Sequence, residues 1–410
     1  MKNRDLPVPE LLIISGGSEI VGLALAEAAH IAGRNYAVFS LVPHSLLKNA
    51  PGCIDFMDLS PLLEDWNALQ DGFLKALMHA TALAGEKLPI FPTEDGGLRL
   101  LNECRDDVLR YGEFSRARAL KMGGLDKAEL VEFSLKHCAS DYLATSIVLD
   151  GPEQAILALE KLGPDAIFKP ALKPIHMDLS PLGGGGTKVV TRQDHKENAS
   201  SIVNRLTRAW SVSERWIAQP RLVTGSSQER SVCAVRDTNG YVHANQVVEK
   251  AKHPAMGGTA YWVSTEETTD LLSPASNLME ALEIVGICEL AHLPDGSGKP
   301  HMIELNTRPW LQIGLIESAG VPILDKAILA LRGKSLPKES TSAKNHQWVQ
   351  IERFLMALIT GSCPPALALQ ILGSLTKAST TIAGFGTSSP GIKQRLIRGH
   401  LRRIFRTTSK

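Results

Sequence analysis

Glu289, Glu304, Asn306 and Arg308 are the residues whose types and spacing point most directly to chemistry. Two apolar-rich runs, Gly286 to Leu293 and His301 to Leu305, flank the turn cluster Pro294-Asp295-Gly296-Ser297-Gly298, which reads as a β-hairpin. Side chains alternate along a strand, so Glu304 and Asn306 share one face while Ile303 and Leu305 take the other. If the strands pair, Glu289 joins them and three oxygen donors meet, with Arg308 just beyond. Oxygen donors of this kind suit a hard cation such as Mg²⁺, which binds through one or two carboxylates together with substrate phosphates. The guanidinium adds a planar fork for phosphate or carboxylate oxygens. A strand edge carrying solvated polar residues would leave the same short pattern, so the rest of the chain has to decide between them.

A second group of residues lies upstream. Ala166-Ile167-Phe168 is a buried-looking strand that delivers Lys169 and Pro170, and thirteen residues after Pro170 begin Gly183, Gly184, Gly185 and Gly186. Four glycines between strands let backbone N–H groups come close to a polyphosphate. The loop is not G-x-x-x-x-G-K-[ST], and Gly16, Gly17 and Gly22 near the N-terminus do not form G-x-G-x-x-G. Asp126 is placed to N-cap a helix whose first residue is Lys127, with Leu130, Phe133, Leu135 and Cys138 as its buried side.

Taken together, the Asp126-Lys127 helix start, Lys169-Pro170, the glycine loop and Glu304-Leu305-Asn306-Thr307-Arg308 resemble the ATP-grasp superfamily, most closely its carboxylate–amine ligase branch. The resemblance spans about residues 11 to 332. It implies that Lys127 and Lys169 bind ATP phosphates and that Gly183 to Gly186 close over them. Gln219, Arg221 and Leu222 would border the adenine, Glu229 would meet the ribose, and Glu289, Glu304 and Asn306 would hold Mg²⁺, with Mn²⁺ as a substitute. Arg308 would face the transferred phosphate. The implied reaction joins a small-molecule carboxylate to an amine through an acyl phosphate. Departures from the family pattern are Ala291, where a first metal carboxylate often stands, and Gln219-Pro220, where glutamate is usual and proline removes a donor N–H. Phosphorylation of bicarbonate and a non-catalytic ATP-binding regulatory role are the alternatives.

The elements that must position these residues follow from the order of the chain. Leu11 to Ile14, the Gly16-Gly17 turn, an apolar helix face of Leu23, Leu25, Ala28 and Ile31, and the strand ending at Thr93, Glu94 and Asp95 predict an N-terminal parallel α/β domain over 1–115. By the resemblance this is a pre-ATP-grasp domain that places Gly16, Gly17 and Thr93 to Asp95 at a cleft rim. A two-lobed α+β ATP-grasp domain would occupy 116–335, with lobes at 116–215 and 216–335. A helical extension with a basic tail would fill 336–410. At 410 residues the chain exceeds the usual size of one core.

Net charge is +1, but residues 391–410 hold seven Lys or Arg and no acid. That amphipathic tail suits weak contact with an anionic membrane surface or a protein, whereas a solvated packing helix is the plainer reading. The mildly acidic body gives no reason to expect a nucleic-acid partner. The six cysteines form no C-x-x-C pair, the N-terminus lacks a signal-peptide core, and no apolar run is long enough to span a bilayer, so a cytoplasmic enzyme is expected. Oligomeric state is left open.

Overall fold

The computed structural model describes residues 7–17, 19–137, 142–172, 198–222, 228–254, 258–267, 270–338, 343–383 and 394. Its N-terminal part is a five-stranded parallel sheet of β1 (Leu11–Ser15), β2 (Tyr36–Ser40), β3 (Cys53–Asp58), β4 (Leu88–Pro92) and β5 (Gly112–Phe114), in the order β3-β2-β1-β4-β5. β1, β2 and β4 are buried along their whole length, as expected of parallel strands covered on both faces. Helices Glu19–Ile31 and Trp66–Ala84 provide that cover, the second started by the Asp65 carboxylate accepting from Ala68 N. Leu23, Leu25 and Ala28 are buried as predicted, but Ile31 is exposed because it ends the helix beyond the sheet.

Two short strands follow the first sheet, β6 (Arg116–Ala117) and β7 (Ile147–Leu149). β7 forms an antiparallel sheet with β8 (Ile167–Pro170) and β9 (Trp216–Gln219), in the order β7-β9-β8. The helices Ala155–Leu162 and Ala199–Ala209 share its core around Phe168 and Trp216.

The largest sheet runs β14-β13-β10-β11-β12-β15-β16, with β6 added beside β13. Its strands are β10 (Arg230–Arg236), β11 (Val242–His253), β12 (Thr259–Glu266), β13 (Ile284–Pro294), β14 (Pro300–Asn306), β15 (Gln347–Val349) and β16 (Thr380–Ile382). The helix Leu272–Ala281 packs on one face with Val232, Cys288, Leu290 and Leu305. Helices Ile313–Ser318 and Ile323–Leu331 bury Cys233, Val235 and Ile287 on the other, in a core shared with helix Glu19–Ile31. The two parts of the chain are therefore joined by a continuous apolar core.

Residues 336–383 are more than the expected helical extension. β15 and β16 extend the large sheet, and helices Ile351–Ile359 and Pro365–Ser374 pack against Tyr261 and Val349. The stretch after Gly333 reads in sequence as an exposed linker, yet Leu336 and Ala343 are buried. Their amides donate to the carboxylate of Asp237 (2.8 Å) and the side-chain oxygen of Asn245 (2.8 Å).

Candidate functional site

The hairpin forms as the sequence predicts, and its register decides what meets. Glu289 stands opposite Asn306, and Ala291 opposite Glu304. Asn306 Nδ2 donates to Glu289 Oε2 (3.1 Å), and Gln312 Nε2 donates to Glu289 Oε1 (3.3 Å). Gln312 was not singled out from sequence; it lies six residues past the strand, and only the turn after Pro309 brings it back. Glu289 is 9% exposed, and burial pushes its carboxyl up to about 7, with Arg308 opposing the shift and Glu229 adding to it. Two neutral amides thus hold a desolvated carboxylate, a setting that a cation would stabilise.

Lys127 reaches the same place from a distant part of the chain. Asp126 caps its helix as expected, accepting from Ala128 N (2.8 Å) and Glu129 N (3.2 Å). Lys127 N itself donates to Ala171 O (3.0 Å), tying the helix start to the end of the strand that carries Lys169. From there the Lys127 ammonium lies 3.5 Å from Glu304 Oε1. Not every helix prediction holds: Leu135 is exposed, the buried face being Ala128, Leu130, Val131 and Ser134, and Cys138 is outside the described residues. Tyr142 and Ala144 also touch the hairpin through the backbone, Ala144 N donating to Met302 O (2.9 Å) and Met302 N to Tyr142 O (2.8 Å).

Arg308 faces the N-terminal sheet. Its Nε donates to Asp95 Oδ1 (2.7 Å), and each side chain is 16% exposed. Burial alone would lower the Arg308 pKa, but Asp95, Glu304 and Glu289 more than offset it and hold the guanidinium above its ordinary value. Asp95 begins the helix Asp95–Glu103, in the turn where Thr93 Oγ1 accepts from Gly16 N (2.9 Å). The Glu94 side chain lies where a Cβ on Gly16 would be. Gly16, Thr93 and Glu94 thus lie together, and Asp95, next in the chain, meets Arg308. On its other side, Thr307 Oγ1 donates to Gly123 O (2.8 Å), fixing the strand end.

The remaining sequence-predicted residues are more scattered. Glu229 lies at the start of β10, where Lys252 Nζ donates to its Oε2 (3.3 Å). Its backbone O accepts from Glu249 N (2.8 Å), and burial, reinforced by Glu229, pushes the Glu249 carboxyl well above its usual value. Arg230 faces away from Glu289, because successive strand residues point oppositely; it pairs with Glu266 and Asp270 instead. Gln219 is buried at the end of β9 and donates to Ser146 Oγ (3.0 Å); Arg221 and Leu222 follow it. Gly183 to Gly186 lie outside the described residues, as does most of the basic tail.

Among the described residues no three acids, histidines or cysteines converge on one point. Two carboxylates and an amide, rather than a closed cage, form the donor set suited to Mg²⁺ when phosphate and water complete the shell.

No protein-family model and no curated protein sequence matches the chain. Solved structures do. An N5-carboxyaminoimidazole ribonucleotide synthetase, crystallised as its ADP complex, matches at TM-score 0.61 and 16% identity, over 88% of this chain and 86% of that one. Biotin carboxylase from Campylobacter jejuni matches at TM-score 0.58 and 16% identity, over 82% and 74% of the two chains. The chain has an ATP-grasp fold. L-amino acid ligase from Bacillus licheniformis, another ATP-grasp structure, matches at TM-score 0.57 and 16% identity, over 80% and 75%. The overall class is the expected mixed α/β, with an ATP-grasp core behind a parallel N-terminal sheet.

Proposed function

We propose that this chain is an ATP-dependent ligase that joins a small-molecule carboxylate to an amine. The observation that carries the reading is the meeting of Lys127, Glu289, Glu304, Asn306 and Arg308 around one hairpin end, drawn from both halves of an ATP-grasp fold. A carboxylate oxygen attacks the γ-phosphorus of ATP and ADP leaves. The amine then attacks the acyl-phosphate carbon, phosphate departs with the bonding pair, and the nitrogen loses a proton.

Lys127 and Lys169 hold phosphate oxygens, and Arg308 faces the group in transfer. Gln219, Arg221 and Leu222 border the base, Glu229 the ribose, and Gly183 to Gly186 cover the phosphates. Glu289, Glu304 and Asn306 would hold Mg²⁺, which neutralises phosphate charge as it is redistributed. The protein's part is positioning and charge compensation, because no covalent nucleophile is needed. Among the described residues no helix is long and apolar enough to cross a membrane.

A second reading, with bicarbonate as the carboxylate, is supported by the names of two of the structures above, a carboxylase and a carboxyaminoimidazole synthetase. Phosphate release from Mg·ATP, measured with a panel of amino acids and separately with bicarbonate, divides the two. Glu304→Gln should abolish release by about a hundredfold or more in either case. Tight ATP binding without turnover on any substrate would leave a regulatory binding protein instead.

A further inference from the structure

A second concavity lies away from the hairpin end, where the first residues of β4 and β5 meet the end of the helix Ile323–Leu331. It is a cleft of about 460 Å³ with the buried Leu88 and Leu331 in its wall. Gly333 closes that helix from the left-handed region (φ 68°), its N–H donating to Ala330 O (3.1 Å) while Lys334 N donates to Leu329 O (2.9 Å). Those carbonyls are satisfied within the turn, and Arg332 and Lys334 come to line the cleft. Arg118, just past β6, lines it too, held by its N–H on Glu283 O (3.4 Å) beside the start of β13. Both acids in the lining are already committed, Glu86 to Arg332 (2.5 Å) and Glu113 to Arg116 (3.1 Å). Among the described residues Lys87, Arg118 and Lys334 have no carboxylate partner, Lys87 Nζ donating to Leu109 O (2.6 Å) instead, and Arg332 Nε has no acceptor.

Uncompensated charges of one sign around a concave site focus their field into it and favour an anion. We propose that, whatever the reaction at the hairpin, this cleft binds a small molecule carrying a diphosphate group. A single phosphate brings about −1.5 to −2 charges at pH 7, less than Lys87, Arg118 and Lys334 supply together, whereas two joined phosphates match them. The Arg118 guanidinium offers a planar fork to a pair of phosphate oxygens, and the two ammonium groups act as point charges. The volume falls within the range of about 300–1,000 Å³ usual for small-molecule pockets. This place is distinct from the one proposed for the ATP phosphates. β4 starts at Leu88 in the cleft and ends at Pro92, just before the turn that carries Asp95 to Arg308, so the two sites lie off opposite ends of one strand. At about 3.3 Å per residue the strand alone separates them by roughly 13 Å. One wall of the cleft belongs to the N-terminal sheet and the other to the helix packed on the large sheet, so a bound diphosphate would tie the two parts of the chain together.

The test is titration calorimetry of the full-length protein with inorganic pyrophosphate, in the absence of Mg²⁺, together with the melting temperature, which a ligand of the folded state raises. Arg118→Gln/Lys334→Gln should weaken binding about tenfold or more and remove the rise in melting temperature. Both side chains are exposed and unpaired, so the variant should melt like wild type when no pyrophosphate is present. Lys127→Gln/Lys169→Gln, at the other site, should retain the binding that Arg118→Gln/Lys334→Gln loses. Absence of binding at millimolar pyrophosphate overturns the proposal. So does binding that survives in Arg118→Gln/Lys334→Gln and disappears in Lys127→Gln/Lys169→Gln, which would put the anion in the nucleotide cleft. Citrate binding as tightly as pyrophosphate would overturn the assignment to phosphate.

Discussion

Arg308 and Asp95 are 213 residues apart in sequence, yet the guanidinium Nε lies 2.7 Å from the carboxylate Oδ1, and both side chains are mostly buried. This contact locks the end of the hairpin to the rim of the N-terminal sheet. One face of the proposed cleft is thereby held against the residues that would carry the phosphate.

Asp95→Ala leaves a buried guanidinium without its main partner. Loss of a buried pair in this way costs about 3 kcal/mol, which urea denaturation should register. Turnover should fall with it while ATP affinity changes less, because Arg308 would drift from the reacting group. Wild-type stability in Asp95→Ala would show that the pair is only a surface contact.

The pH dependence of Glu289 has a definite sign. Its carboxyl, raised by burial from an ordinary 4.5 to about 7, is protonated more readily in the folded than in the unfolded chain. Its stabilising contribution is therefore present below about pH 4.5 and lost as pH rises to about 7. In Glu289→Gln that loss is absent, so the variant should gain about 2 kcal/mol on wild type between pH 5 and pH 8, without metal. Glu317, pushed by burial up to about 8, acts in the same direction but is common to both proteins and cancels. Parallel stability curves for the pair would rule this assignment out.

Lys127 and Lys169 should behave as phosphate ligands. Lys127→Gln or Lys169→Gln should raise KM for ATP by about tenfold or more, the loss of one charge-assisted contact each, with the melting temperature nearly unchanged. If KM for ATP stays at the wild-type value in both, the nucleotide lies elsewhere.

Asp126→Ala removes the cap that starts the Lys127 helix. A stability loss of about 1 kcal/mol is expected, with Asp126→Asn retaining most of it. A rise in KM for ATP in the alanine variant alone would place the effect on the aim of Lys127. Equal kinetics in both variants would mean that the Ala171 contact suffices to hold the helix start.

The hairpin around Pro294 to Gly298, the N-cap at Asp126 and the buried run at the start of the chain were legible in the sequence because each depends on neighbours a few residues away. Strand alternation also placed Glu304 and Asn306 on one face, since the period of two is a property of the backbone. Which distant residues complete that face was not legible. Gln312 reaches Glu289 through the turn after Pro309, whereas Lys127 reaches Glu304 and Asp95 reaches Arg308 only because elements far apart in sequence share apolar cores, and no local pattern encodes that packing. For the same reason Leu135 reads in sequence as a buried residue but is exposed: the side a strand or helix presents is set by what packs against it. Local chemistry, then, was written along the chain, and the meeting of its parts was decided by the burial of apolar faces between elements hundreds of residues apart.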